Sequence, residues 1–324
     1  VEQAMAGAHH ICRLRLVHNR IVAAPMEPRG AIGVYDASQD RYILHGAVQD
    51  PQFTHSVLSE HALRIEGSRL RVLVGDVGGG FGMKGGMHPE DGAVAFCAWT
   101  LKRPVKWISE RSEEFLSSAT GRDCRHRAEL ALDATGRILA LRVHGHANVG
   151  AYATGTGVAI PLLIGPWVQT GVYDIQTIDF HFQAVMTHTA PVGAYRGAGR
   201  PEAVFIVERL MDAAARQIGM DPRAIRKMNY IKPAQLPYTN AAGQVYDSGA
   251  FAHMLTRASE LADWDGFAAR KRAAKKRGML YGRGLTSYIE WTGGRAHSEK
   301  VSLHATGEGR VILHSGTMAM GQGL

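Results

Sequence analysis

The run Val77-Gly78-Gly79-Gly80-Phe81-Gly82-Met83-Lys84 decides how the rest of this chain is read. It follows an apolar, strand-like segment at 70–74. Consecutive glycines carry no Cβ, so the backbone can turn tightly and bring its N–H groups against a ligand. One bulky aromatic, Phe81, then interrupts the glycines. The pairing suits a backbone cradle for an anionic or oxo-bearing group, with a ring pressed against a reacting centre. Glycine runs also build plain turns, and both readings stand at this point.

Outward from this loop the pattern is strand, glycine loop, helix, strand. Pro89-Glu90-Asp91 opens the helix, Pro104 ends it, and 105–108 is the second strand. Cys97 lies in the apolar core of that helix and reads as a core residue. Upstream, a strand at 42–48 ends at Gln49-Asp50-Pro51, and a helix is expected over 54–63. Residues 22–30 form a connector stiffened by Pro25 and Pro28. Downstream, 127–132 and 138–146 alternate around Asp133-Ala134-Thr135-Gly136, which reads as a β-hairpin. Another alternating strand covers 175–186. The clearest helix is 201–218, with Pro201 and Glu202 at its start and Gly219 as a stop. Asp221-Pro222 caps a shorter helix through 229. The fold class expected is α+β, of mixed α/β character. A composition shift at 230–248 sets a domain boundary, giving 1–235 and 236–324. Asp247-Ser248 can cap the helix that follows. A hairpin at 301–304 and 311–314 precedes the ending Met320-Gly321-Gln322-Gly323-Leu324.

Composition narrows the function. At 324 residues, with 45% hydrophobic and 20% charged content, the chain is an ordinary globular protein long enough for two domains or three. It has no apolar run long enough for a membrane span, and its start lacks the pattern of a signal peptide. A start without Met suggests a cut or processed end. Cys12, Cys97 and Cys124 share no metal or disulfide spacing, which points to a reducing, cytoplasmic compartment. The histidines show no HxxxH or HxxEH spacing, and no side-chain metal site is expected. The net charge of +8 is concentrated at Arg270-Lys271-Arg272 and Lys275-Lys276-Arg277, which reads as an exposed helix end or a docking surface for an acidic partner subunit. No aromatics interleave there, so nucleic-acid binding is not supported. The glycine loop is not followed by a ribose-binding acid at the expected distance, which argues against a dinucleotide fold.

Four loops, each after a strand-like run, carry donors: Gln49-Asp50-Pro51, residues 78–84, Ala194-Tyr195-Arg196-Gly197 and Met320-Gly321-Gln322-Gly323. They hold no carboxylate pair, no Ser-His-Asp pattern and no phosphate lysine motif. Donors dominate, as suits an oxygen-rich ligand. Together with Ala24-Pro25-Met26-Glu27-Pro28-Arg29-Gly30 and Arg103-Pro104-Val105-Lys106-Trp107, these segments resemble the molybdenum-binding large subunit of the xanthine oxidase, aldehyde oxidase and carbon monoxide dehydrogenase family.

That resemblance covers nearly the whole sequence. It implies two molybdopterin-binding-type domains, the second incomplete. It implies hydroxylation of an aldehyde or N-heterocycle with water, and electrons passed to an iron–sulfur subunit and an FAD subunit. The cofactor implied is molybdenum–molybdopterin, in its cytosine dinucleotide form. Gln49, Phe81 and Arg196 take the catalytic positions: Gln49 approaches an oxo ligand, and Arg196 orients substrate and stabilises developing negative charge. Gly79, Gly80, Phe81, Gly82, Ala194, Arg196, Gly321 and Gln322 take the cofactor-binding positions. The resemblance also has departures. The copper-binding cysteine of carbon monoxide dehydrogenases is replaced by Gly197, and the purine-reading glutamate of xanthine oxidases by Gly85. Glu290, in Tyr288-Ile289-Glu290-Trp291, is not at the family's base position and reads as structural. The family's subunit is longer at both ends, so the chain is expected to be a piece that does not turn over substrate alone. The alternative is a truncated homologue acting as a structural or docking piece.

Overall fold

The computed structural model describes residues 1–290 and 300–323; Trp291 and Leu324 lie outside the described residues. Helices and strands are mixed, as the sequence predicts. The strands in the main sheets are β1 (His10–His18), β2 (Gly30–Asp36), β3 (Arg41–Gly46), β4 (Leu70–Leu73), β5 (Val105–Ile108), β6 (Cys124–Leu132), β7 (Ile138–Gly150) and β8 (Ile178–Met186). The chain divides into two compact units. The first holds Val1–Arg20, Arg122–Thr187 and residues from 197 to 290; the second holds Ile21–Gly121, His188–Arg196 and the described residues from 300 on.

The first unit is built on a sheet of order β1-β6-β7-β8, antiparallel except for the parallel β7–β8 pair. Alternation puts Leu130, Leu141 and Val143 on one face, and the Arg200–Ile218 helix covers them with Ile206, Val207, Leu210 and Ala214. Each fully buried aliphatic side chain contributes about 1.5–3 kcal/mol. The helix ends where expected, at Gly219 in a left-handed conformation. Asp221 caps the Pro222–Asn229 helix by accepting from the Arg223 and Ala224 N–H groups.

Three expectations about elements need correcting. Cys97 is exposed, because the Pro89–Leu101 helix buries Asp91, Val94, Ala95 and Ala98, and position 97 falls on the opposite side of that stripe. Asp247 and Ser248 cap nothing: the next helix begins at Phe251, and the Ser248 hydroxyl donates to Asp247 instead. The basic segment is not the end of that helix but a separate one, Phe267–Lys276.

His18 and His126 pack edge to face under the same sheet, ring centroids 5.1 Å apart. Burial pushes His126 down to about 3, aided by the neighbouring His18, and His18 down to about 4, aided by the Arg122 charge. Both rings are therefore neutral in the fold, while the unfolded chain takes up protons below its ordinary histidine range. The fold is thus stabilised above that range and loses stability as pH falls through it. Between pH 6.5 and 5.5 the expected loss is on the order of 1–2 kcal/mol. Urea midpoints at stepped pH check this. His18→Gln is expected to halve the slope; an unchanged slope would refute the assignment.

The second unit is a mixed sheet of order β4-β3-β2-β5, with β3 and β4 parallel. The Pro89–Leu101 helix packs Val94 against Ala31, Tyr42, Leu44 and Leu70 on one face. This sheet carries loops at its strand ends, and three of the four donor loops meet there.

Candidate functional site

β3 runs into residues 47–50, and Asp50 caps the Pro51–Val57 helix by accepting from the Phe53 N–H. This fixes the loop that holds Gln49. The Gln49 backbone N–H donates to the Lys84 carbonyl at 2.8 Å, and its side-chain Oε1 accepts from the Gly82 N–H at 2.8 Å. The Gly82 donor settles which end of the amide faces the loop. The Nε2 group makes no described hydrogen bond and keeps both its donors.

The glycine loop closes on the third segment. The Arg196 N–H donates to the Phe81 carbonyl at 3.0 Å, and the Arg196 guanidinium lies 5.6 Å from the Phe81 ring centroid. Phe81 itself has φ +53 and is 39% exposed, a bulky residue held in a left-handed conformation. A Cβ on Gly80 would lie 2.4 Å from Gln49 Cδ, and one on Gly82 would lie 2.6 Å from the Ala194 carbonyl oxygen. These approaches need bare backbone. The 191–196 segment is pinned by Gly193 N–H to Thr120 O at 2.8 Å and Thr120 N–H to Pro191 O at 3.1 Å. Gln49, Gly79, Gly80, Phe81, Gly82, Ala194 and Arg196 therefore form one cluster within one unit.

Gln322 is not joined to it by any described contact. It folds back on its own exposed turn, with Nε2 donating to the Met318 carbonyl at 2.9 Å and Oε1 accepting from the Met320 N–H. Gly321 sits in the same turn at φ +89.

Two residues that support the loop escaped the sequence reading. Glu27 accepts from the Gly78 N–H at 2.7 Å and from Lys84 Nζ at 2.8 Å, clamping both ends of the glycine run. The Lys84 side chain is wholly buried, whereas that of Glu27 is 40% exposed. Arg29, itself buried, anchors the connector that carries Glu27. Its guanidinium donates to Glu90 at 3.0 Å, Ser118 at 3.0 Å and Ser117 at 2.7 Å, and its backbone N–H donates to Glu114 at 2.7 Å. The clue in the sequence was a lone acid and a lone arginine flanking Pro28, too rigid a setting for an idle linker.

Burial opposes the Glu27 charge, but the Lys84 hydrogen bond, the Gly78 N–H and the lysine charge outweigh it and hold the carboxyl below the usual range. Because the folded value is depressed, this stabilisation is present above the ordinary glutamate range and is lost as pH falls through the folded value. Removing the two partners has unequal effects. Glu27→Ala strands a buried ammonium and is expected to cost about 2 kcal/mol; Lys84→Met leaves a half-solvated carboxylate and about 1 kcal/mol. Thermal melts of both variants decide it, and the reverse ranking would contradict the clamp.

The donor set suits an oxygen-rich group. Gln49 offers an amide, Arg196 a fixed cation, and the loop backbone approaches without side chains. The acid nearest the loop, Glu27, is already neutralised by Lys84. Among the described residues no cluster of His, Cys, Asp and Glu could ligate a metal ion directly, so a metal here would have to arrive on a cofactor. No helix of the described residues is long and apolar enough to cross a membrane.

Comparison with known proteins agrees with this chemistry. Residues 1–230 match a family model described as the molybdopterin cofactor-binding domain. The chain is 31% identical to the nicotine 6-hydroxylase large subunit of Paenarthrobacter nicotinovorans, covering 100% of this chain and 41% of that protein. It is 32% identical to the carbon monoxide dehydrogenase large chain of Hydrogenophaga pseudoflava, covering 95% of this chain and 40% of that one. Among solved structures it superimposes on quinoline 2-oxidoreductase from Pseudomonas putida 86 with a TM-score of 0.91 at 32% identity, covering 99% of this chain and 42% of the other. The chain thus spans about two fifths of the length of these relatives.

Proposed function

This chain belongs to the molybdopterin cofactor-binding domain family, and on that premise we propose that it is part of the large subunit of a molybdenum hydroxylase. Residues 1–235 make up the first cofactor-binding domain and 236–324 begin the second. The molybdenum–molybdopterin group, in its cytosine dinucleotide form, supplies the redox chemistry when bound; the chain supplies orientation and donors. Gln49 Nε2 would donate to an oxygen of that group. Gly79, Gly80 and Gly82 let the backbone approach. Phe81 would set its ring beside the reacting centre, and Arg196 would orient substrate and stabilise negative charge as it develops. Gly321 and Gln322 serve the pterin. In the complete enzyme, an N-heterocycle or aldehyde would be hydroxylated with an oxygen atom from water, and the two electrons released from it would pass to the bound cofactor and leave through iron–sulfur and FAD subunits in the cytoplasm.

The observation that carries this reading is the pair of bonds, Gln49 Oε1 to the Gly82 N–H and the Arg196 N–H to the Phe81 carbonyl, that join three loops distant in sequence. Two similarities favour an N-heterocycle: the quinoline oxidoreductase and the nicotine hydroxylase. Two departures narrow it further. Gly197 offers no thiol for copper, and a Cβ there would lie 2.5 Å from Pro201 Cγ. Gly85 offers no carboxylate to a purine. Glu290 pairs with Arg200 at 3.3 Å, in keeping with a structural role.

Molybdenum and pterin analysis of the chain, produced in cells that make the cofactor, tests the proposal. Stoichiometric molybdenum is expected in the parent, with a loss of tenfold or so in Arg196→Ala. Absence of both from the parent would favour the alternative, a structural piece that docks other subunits. Hydroxylation by the loaded chain alone would refute the expectation that it needs the remainder of the subunit.

A further inference from the structure

The face of the β1-β6-β7-β8 sheet opposite the Arg200–Ile218 helix is covered at one end by the Glu2–Ala6 helix, whose Met5 packs on Ala131 and Ala140 and whose Glu2 pairs with Arg142; beyond that end it is charged in an ordered way. Side chains on this face line up in rows across the strands, set by the pairing register. One row runs Arg13, Glu129, Arg142, Asp179. It is internally paired: Arg13–Glu129 at 2.6 Å, Arg142–Glu129 at 3.3 Å and Arg142–Asp179 at 2.7 Å. The next row runs Arg15, Arg127, His144, His181. Arg15 and Arg127 stand directly opposite one another, both exposed. In the row beyond, Arg125 stands opposite Val17 and His146. Among the described residues no carboxylate pairs with Arg15, Arg125 or Arg127. Like charges directly opposite in a sheet are destabilising. A hollow of about 470 Å³, whose polar lining is Arg13, Arg15, Arg127, Glu129, Arg142 and His144, opens between the two rows.

We propose that this sheet face is a docking surface for a protein partner presenting a row of carboxylates to Arg15, Arg127 and Arg125. Guanidinium forks suit carboxylates in bidentate pairs, and an acidic row would relieve the repulsion built into the register. A second copy of the chain does not fit, since self-pairing would set arginine against arginine. A single-stranded nucleic acid fits less well, because its bases would need aromatic rings to stack on. The aromatics of β8, Phe180 and Phe182, pack into the core cluster and are not on this face to stack with bases. A protein surface can alternate its charges and match both rows.

The test is binding of a labelled oligoglutamate peptide to the chain, followed by fluorescence anisotropy at two salt concentrations. Arg15→Gln/Arg127→Gln is expected to weaken binding roughly tenfold and to flatten the salt dependence. Lys275→Gln/Lys276→Gln, in the other basic segment, is expected to change it by less than about threefold. The arginine variant should melt no lower than the parent, since it removes a repulsive pair; Arg127→Gln alone serves if the double variant does not fold. Three results would overturn the proposal: no binding of oligoglutamate, equal loss in the two variants, or tighter arginine-dependent binding of a single-stranded oligonucleotide of equal charge.

Discussion

Arg226→Ala is expected to remove about 3–5 kcal/mol from the unit that carries it. The Arg226 side chain is fully buried, projecting from the Pro222–Asn229 helix under the Arg200–Ile218 helix. Its guanidinium donates to Glu208 Oε2 at 2.9 and 2.8 Å, to Asp212 at 2.8 Å, and to the carbonyls of Pro222 at 3.0 Å and Leu285 at 3.2 Å. Glu208, 4% exposed, also accepts from the Tyr173 hydroxyl. Burial pushes the Glu208 carboxyl up, and the Arg226 charge only partly offsets it. Truncating the arginine therefore leaves a buried carboxylate beside Asp212 with most of its donors gone. The large effect comes from the stranded group and not from the strength of the pair, which yields a second expectation. Arg226→Met combined with Glu208→Leu removes both charges and should recover at least half the loss. Urea unfolding of the single and double variants measures both. A double variant as weak as Arg226→Ala would mean that the pair itself stabilises the fold.

The parts of this fold that are legible in the sequence are those set by local physics. The Arg200–Ile218 helix announces itself through Pro201, an apolar stripe and Gly219. The β6–β7 hairpin does so through alternation around Asp133-Ala134-Thr135-Gly136. The loops that carry Gln49, Phe81 and Arg196 could be singled out because glycines and donors gathered after strand-like runs are unusual, while the roles of those three residues follow only from the family resemblance. Their meeting could not be read, since it depends on which strands neighbour one another. The parallel pairs β3–β4 and β7–β8 join segments with long intervening chain, and nothing local sets their register. The same holds for the row Arg15, Arg127, His144, His181, which exists only once three pairings are fixed. Glu27 and Arg29 were missed for a related reason. A buried charge is recognisable by its partner, and each partner here is distant in sequence. Cys97 was misplaced because its helix is apolar nearly all round, with Phe96, Trp99 and Leu101 exposed, so apolar content could not tell the inner face from the outer.

Gly82→Ala is expected to open the cluster. Two costs add there. Gly82 sits at φ +97, where an L side chain is strained by about 1–2 kcal/mol whatever the space. Its Cβ would also lie 2.6 Å from the Ala194 carbonyl oxygen, and backbone cannot rotate aside as a side chain would. The Ala194 segment is held by Gly193 to Thr120 at 2.8 Å and by Arg196 to Phe81 at 3.0 Å, so the glycine loop has to give. When it moves, the Gly82 N–H leaves Gln49 Oε1, and the amide loses the bond that orients it. The expected outcome is a loss of more than about 3 kcal/mol and a molybdenum content reduced at least tenfold. Gly75→Ala is the matched control: nothing lies within 4 Å of the added carbon, and its φ needs no glycine. That variant should melt and retain metal as the parent does. If Gly82→Ala matched the control in both readouts, the close approach of the glycine loop to Ala194 would be wrong. If it lost stability but kept its molybdenum, the cluster would be structural, and the cofactor would be held elsewhere.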